Sequence, residues 1–184
     1  MLILYRRQES PTMEIPANEA DRLAALINYG ILDTDFEETY DRITRIAANI
    51  FGVPIALVSL VDGHRQWFKS AFGLDVRETP REVAFCARAI LGPDVFMVPD
   101  AAADPRFSSN PLVVEQPGIR FYAGAPLVTP EGFALGTMCV IDRRARQALS
   151  PAQTQVLQDL AAVVMDLMEA RRLRRKLERP QPTS

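Results

Sequence analysis

Residues 119–142 hold two long apolar runs, Ile119–Val128 and Phe133–Asp142, separated only by Thr129-Pro130-Glu131-Gly132. Proline in the second position of those four and glycine in the fourth suit a reverse turn, so the runs read as one antiparallel hairpin. A second hairpin lies upstream. Pro54–Val61 is an apolar run closed by Asp62-Gly63, and Gln66–Phe72 is its return strand. Val95–Val98 reads as a further short strand. Hairpins at both ends of the strand region imply a mainly antiparallel sheet of five or six strands, and the helical patterns around it make the class α+β.

The helical signals flank these strands. A helix can open at Asn18, with Glu19 and Asp21 in its first turn and Leu23, Leu26, Ile27 and Gly30 at helical spacing. Thr34-Asp35-Phe36-Glu37 has the spacing of a capping box and predicts a second helix from Thr34, with the stripe Phe36, Tyr40, Ile43, Ala47 and Ile50. Gly52 and Pro54 end it. Thr79-Pro80-Arg81-Glu82 predicts another boxed helix, running to about Ile90. Ser150-Pro151-Ala152-Gln153 opens the longest helix, which can run to Arg179 with Leu157, Leu160, Val164 and Leu167 on one stripe. Between strand and hairpin, residues 100–118 form a long loop carrying Pro105, Pro111 and Pro117, with Phe107, Leu112 and Val113 to pack it down as a lid. The expected organisation is a loose lead-in over 1–17, one domain over 18–178 and a tail over 179–184.

Composition removes several chemistries. The single histidine, His64, excludes multi-imidazole metal sites within one subunit, and two cysteines exclude a four-thiolate zinc or iron–sulfur site. No Gly-x-Ser-x-Gly elbow and no Gly-rich phosphate loop is present. No apolar run approaches the ~20 residues that cross a bilayer, and Met1–Tyr5, followed by Arg6-Arg7, is too short for a signal-peptide core. The expectation is a cytoplasmic protein with reduced thiols, no membrane contact and no nucleic-acid partner. Six cations, Arg171, Arg172, Arg174, Arg175, Lys176 and Arg179, face only Glu178 at the end of the chain, which reads as a solvated helix end.

Nine segments taken in order resemble a GAF domain. They are Arg22-Leu23, Gly30–Thr34, Pro54–Asp62, Arg65–Ser70, Glu78–Arg81, Phe85-Cys86, Asn110–Val113, Arg120–Leu127 and Leu135–Asp142. The resemblance covers roughly residues 19–175 and is strongest to bacterial modules attached to histidine kinases and diguanylate cyclases. It implies a GAF/PAS-like architecture, with helices packed on one face of the sheet and a ligand-type pocket under loops on the other. It also implies parallel dimers through the first and last helices. The signatures of its cyclic-nucleotide, bilin and sulfoxide-reductase branches are not matched: Cys86 precedes Ala87, and Arg88 stands where histidine is frequent.

The candidate ligand-binding set is Trp67, Phe85, Cys86, Arg88, Asp100, Asp104, Phe107, Phe121, Tyr122 and Thr137, with no catalytic or metal-ligating residue. The aromatics can stack on a flat ligand or fill the core. The acids, with Arg88, Arg106 and Arg120, can receive a carboxylate or phosphate, or pair among themselves and hold the loop shut. Cys86 reads as a small buried hydrophobe, or as a reactive thiol activated by Arg88; Cys139, alternating with Thr137 and Ile141, reads as core. Past Met168 only Leu173 and Leu177 stay apolar, and pairing with a second copy would cover them, so a homodimer is expected. The function read from these features is a non-catalytic sensory module that binds a small molecule. It would signal through its helices to a histidine kinase or diguanylate cyclase acting in trans. The alternatives are an adaptor whose pocket is filled and, behind it, a thiol-dependent enzyme of the methionine-sulfoxide-reductase kind.

Overall fold

The computed structural model describes residues 14–178, so most of the expected lead-in and all of the expected tail lie outside the described residues. In chain order the elements are α1 (Glu19–Tyr29), α2 (Glu38–Phe51), β1 (Ile55–Val61), β2 (Arg65–Phe72), β3 (Glu78–Pro80), α3 (Phe85–Ala89), β4 (Phe96–Val98), α4 (Pro111–Val114), β5 (Phe121–Val128), β6 (Ala134–Asp142) and α5 (Pro151–Glu178). A 3-10 turn, Arg81–Val83, joins β3 to α3. The six strands form one sheet in the order β3-β2-β1-β6-β5-β4, antiparallel throughout. This is the α+β architecture expected from the two hairpins.

Alternation of side chains along each strand gives the sheet two apolar faces. Ala56, Val58, Leu60, Trp67, Phe121, Ala123 and Val140 pack against Leu26, Tyr40, Ala47, Leu157 and Val164 of α1, α2 and α5. Ile55, Leu57, Phe68, Tyr122, Cys139 and Ile141 pack against α3 and the loop from Asp100 to Gly118, which carries α4. Both faces are sealed.

Helix starts differ from expectation wherever a buried cation intervenes. Residues 34–37 are extended, and α2 begins only at Glu38. Lys69 of β2 has no solvent exposure. Its Nζ donates to Thr34 Oγ1 at 2.9 Å, the Asp35 carbonyl at 2.6 Å and Glu37 Oε1 at 2.6 Å. A buried ammonium without such partners is far more costly than an unmade cap, so the capping-box residues serve Lys69 instead of the helix. Phe36 and Ile50, the ends of the expected stripe, are 52% and 56% exposed.

The same logic overturns the helix expected from Thr79. Glu78–Pro80 pair with the edge of β2, and Arg81 turns inward to reach Glu19 at 2.5 Å and the Asp62 carbonyl at 3.0 Å. Asn18 makes no side-chain cap. Glu19 instead receives both Arg22, at 2.8 Å through two nitrogens, and Arg81. Only the Ser150 box forms as written, with Ser150 N donating to Gln153 Oε1 at 2.9 Å and Gln153 N to Ser150 Oγ at 3.3 Å. No buried charge competes for it.

Helix α5 spans 28 residues, about 42 Å at the α-helical rise. Its middle packs on the sheet, and its distal turns are held by α1 and by the segment before α2. Tyr29 Oη donates to Glu169, Arg172 pairs with Glu169 at 2.7 Å, and Arg171 reaches Glu37 at 2.7 Å. Gly30 sits at φ 53° with the Arg175 guanidinium over its Cα, which an added Cβ would push aside. Leu173 and Leu177 are 55% and 87% exposed.

Burial alone would raise the Glu19 carboxyl, but the hydrogen bonds from Arg22 and Arg81 outweigh it and hold it at about 2. A depressed carboxyl contributes fully above its unfolded value of 4.5, and that contribution is lost as pH falls towards 2. Glu19→Gln is therefore expected to flatten the pH dependence of stability across that window. Glu19→Ala, which leaves two guanidiniums buried without their carboxylate, should cost about 3–5 kcal/mol in urea unfolding at neutral pH.

Candidate functional site

The face of the sheet under the loops holds most of the candidate residues, but strand alternation divides the set. Phe121 and Tyr122 are consecutive in β5 and must point to opposite faces. Tyr122 lies under the loops, while Phe121 joins the helix-side core. Trp67, paired with Leu60, also lies on the helix side. Trp67 and Phe121 are thus removed from the candidate site.

Phe85, Phe107 and Tyr122 do come together. Phe85 and Phe107 stack with ring centroids 4.1 Å apart and planes 8° from parallel, and Tyr122 tilts against Phe85 at 5.3 Å. Phe96, which sequence reasoning missed, completes the group at 6.1 Å from both Phe107 and Tyr122. Its short strand shows too little alternation to reveal a facing direction. These aromatic side chains and the aliphatic residues around them occupy the interior under the cover.

The acids and arginines of the cover are engaged with the cover itself. Asp104 accepts the Arg106 amide at 2.9 Å and its guanidinium at 2.6 Å, and these bonds hold its carboxyl below the usual range. The Arg106 guanidinium in turn lies 5.2 Å from the Phe96 ring and 5.5 Å from the Phe107 ring, a cation–π clamp across the stack. Asp100 accepts the Ala102 amide at 3.1 Å, and Arg120 donates to the Val113 carbonyl at 2.8 Å. Arg88 is partly exposed at the rim, 3.4 Å from Glu14. Of these charges only Asp104 and Arg106 pair with each other; Asp100 and Arg120 bond to the backbone of the cover, and Arg88 reaches Glu14.

At the centre of the same face lies a polar cluster inside an apolar shell. Cys86 Sγ receives the Tyr122 hydroxyl at 3.2 Å and the Thr137 hydroxyl at 3.1 Å, and lies 3.9 Å from Cys139 Sγ. Ser59, opposite Thr137 across the β1–β6 ladder, buries a hydroxyl that has no hydrogen-bond partner among the described residues. The backbone makes this geometry possible at Gly124, where a Cβ would overlap the Tyr122 hydroxyl. Burial raises the Cys86 thiol, but the hydrogen bonds from Cys139, Thr137 and Tyr122 outweigh it and pull it down. Burial and the neighbouring Cys86 push Cys139 up. The lowering agents are hydroxyls and a thiol, not the Arg88 expected from sequence. The expected ligand-binding residues Cys86 and Thr137 meet in this cluster, together with Cys139, read from sequence as core, and with Ser59 and Gly124, which the sequence analysis did not single out.

Two hollows open elsewhere. One of about 450 Å³ is lined by Phe51, Phe121, Arg146 and Gln153 at the start of α5. The other, about 430 Å³, lies between α5 and the end of β5, against Pro126, Thr129, Ala161 and Met165. Among the described residues no helix is long and apolar enough to cross a membrane, and no group of three acids, cysteines or histidines is placed to hold a metal.

The architecture recurs in solved structures. The GAF domain of an Acinetobacter phosphoenolpyruvate-protein phosphotransferase superposes with a TM-score of 0.60 at 16% identity, over 85% of this chain and 95% of that one. A free methionine-R-sulfoxide reductase from Neisseria meningitidis does so with 0.61 at 18% identity, over 83% and 89%. A sensor histidine kinase domain from Sinorhizobium meliloti gives 0.58 at 15% identity, over 80% and 100%. At these identities the likeness is one of fold. By sequence, the chain is 44% identical over 169 residues to a protein named cyclic di-GMP phosphodiesterase PA2567, from Pseudomonas aeruginosa. The match takes in 92% of this chain and 29% of that protein, so the chain spans less than a third of its relative's length. That relative bears the name of an enzyme, which overturns the expectation of a non-catalytic chain. Residues 35–166, a stretch that includes all six strands, match the GAF domain family, and the chain belongs to it.

Proposed function

We propose that the chain is a regulatory unit of a protein that hydrolyses cyclic di-GMP, and that it works as a homodimer through α1 and α5. The observation that carries this reading is the 44% identity to a cyclic di-GMP phosphodiesterase over nearly the whole chain. The shape of α5 supports it. Val163, Leu173 and Leu177 are exposed at 46%, 55% and 87% and occupy a, d and a positions of one heptad frame. A second copy laid along α5 would remove these residues from water, with about 1.5–3 kcal/mol available for each large aliphatic side chain fully covered.

In this reading the input is the interior under the cover and the output is the position of α5. A change at the cover moves the helices only as far as it favours one arrangement over the other. The structure also favours a second reading on one observation: the Phe85–Phe107 stack and Tyr122 already fill the interior, as in an interaction module whose partner docks outside. A ligand under the cover would have to displace that stack.

Light scattering at micromolar concentration is expected to give twice the mass of one chain, and the double variant L173E/L177E to give a monomer. In the native protein that carries these residues, the same variant should change the rate of cyclic di-GMP hydrolysis several-fold. A protein that hydrolyses no cyclic di-GMP, or hydrolyses it equally with and without the substitutions, would overturn the reading.

A further inference from the structure

We propose that Cys86 and Cys139 are an oxidisable pair, which a hydroperoxide converts to a disulfide inside the closed cover-side core. The inference stands on the cluster's geometry and does not depend on cyclic di-GMP chemistry elsewhere in the protein.

The two sulfurs lie 3.9 Å apart on elements that no backbone ladder joins, Cys86 on α3 and Cys139 in the middle of β6. A disulfide needs about 2.05 Å between them, so closure takes rotation of the two side chains and a shift of the five-residue helix that carries Cys86. The surroundings of Cys86 are not those of a core hydrophobe. Tyr122 and Thr137 both aim hydroxyls at its sulfur, and the partnerless Ser59 hydroxyl is buried in the adjoining strand. Hydroxyl donors converging on one sulfur support its anion, the form that reacts with peroxides. Cys139, with Cys86 as its near neighbour, keeps its proton. The pair therefore divides into an attacking and a resolving thiol.

The chemistry balances. The Cys86 thiolate attacks one peroxide oxygen, the O–O bond breaks, and the leaving hydroxide takes up the proton that Cys86 gave up, forming water. Cys86 is then a sulfenic acid. The Cys139 sulfur attacks the Cys86 sulfur, the S–O bond breaks, and hydroxide leaves with the Cys139 proton as a second water. Two electrons pass from the sulfurs to the peroxide. Cys86 and Cys139 are 1% and 0% exposed, under the Phe85–Phe107 stack. That burial admits hydrogen peroxide during brief openings of the cover and excludes bulky disulfides. The finished bond would draw α3 onto β6 and alter the hydroxyl bonds of Tyr122 and Thr137.

The test uses the folded protein and hydrogen peroxide, followed by denaturation, alkylation and intact mass. The expected result is joint loss of both thiols, a product lighter by two hydrogens and full recovery with dithiothreitol. Cys139→Ser should leave Cys86 as a sulfenic acid captured by dimedone, and Cys86→Ser should give neither adduct nor disulfide. Two thiols that stay alkylatable after peroxide, oxygen added to each sulfur independently, or disulfides only between chains would each overturn the proposal. Should either variant fail to fold, the wild-type mass decides.

Discussion

A lysine ammonium withdrawn from water has to find oxygens, and Lys69 finds three within the four residues that precede α2. That requirement organises the helical side of the molecule. It keeps Thr34–Glu37 extended, delays α2 to Glu38 and fixes Glu37 where a second cation can use it. Arg171 of α5 takes up the offer, so one carboxylate joins the middle of the sheet to the distal half of the longest helix. Glu19 acts similarly for Arg22 and Arg81, linking α1 to the turn after β3. Removing either carboxylate strands charge in a medium that solvates it poorly.

The two faces of the sheet answer to different physics. On the helix side, charge pairs set the registry of long helices over an aliphatic core. On the loop side, the cover is held by ring stacking, a cation–π clamp and backbone turns, and it encloses a few polar atoms around Cys86. Short helices and turns open more readily than a 28-residue helix tied down along its length. The division suits a domain in which one side changes and the other reports.

Most of the architecture was legible because it rests on local patterns. The Thr129–Gly132 turn, the Asp62-Gly63 turn, Gly52 and the Ser150 box each act within a few residues, and each reads the same in sequence and in space. The errors share one cause. Thr34–Glu37 and Thr79–Glu82 carry valid capping signals, yet their side chains and backbones were claimed by Lys69, by Arg81's route to Glu19 and by the edge of β2, partners separated by tens of residues. No local window contains that competition. The site was half legible: Phe85, Cys86, Phe107, Tyr122 and Thr137 converge, while Phe121 could have been separated from Tyr122 by strand alternation alone. Ser59 and Gly124 carried no chemical signal until their neighbours across the sheet were known.

Glu37 couples the sheet to α5. Amide hydrogen exchange comparing the wild-type protein with Glu37→Gln tests this coupling, since the glutamine amide oxygen can still accept from the buried Lys69 while the charge shared with Arg171 is gone. Faster exchange is expected at the start of α2 and in α5 around Arg171, with α3 and β5 unchanged. Unaltered protection in α5, or a uniform loss across both faces, would contradict it.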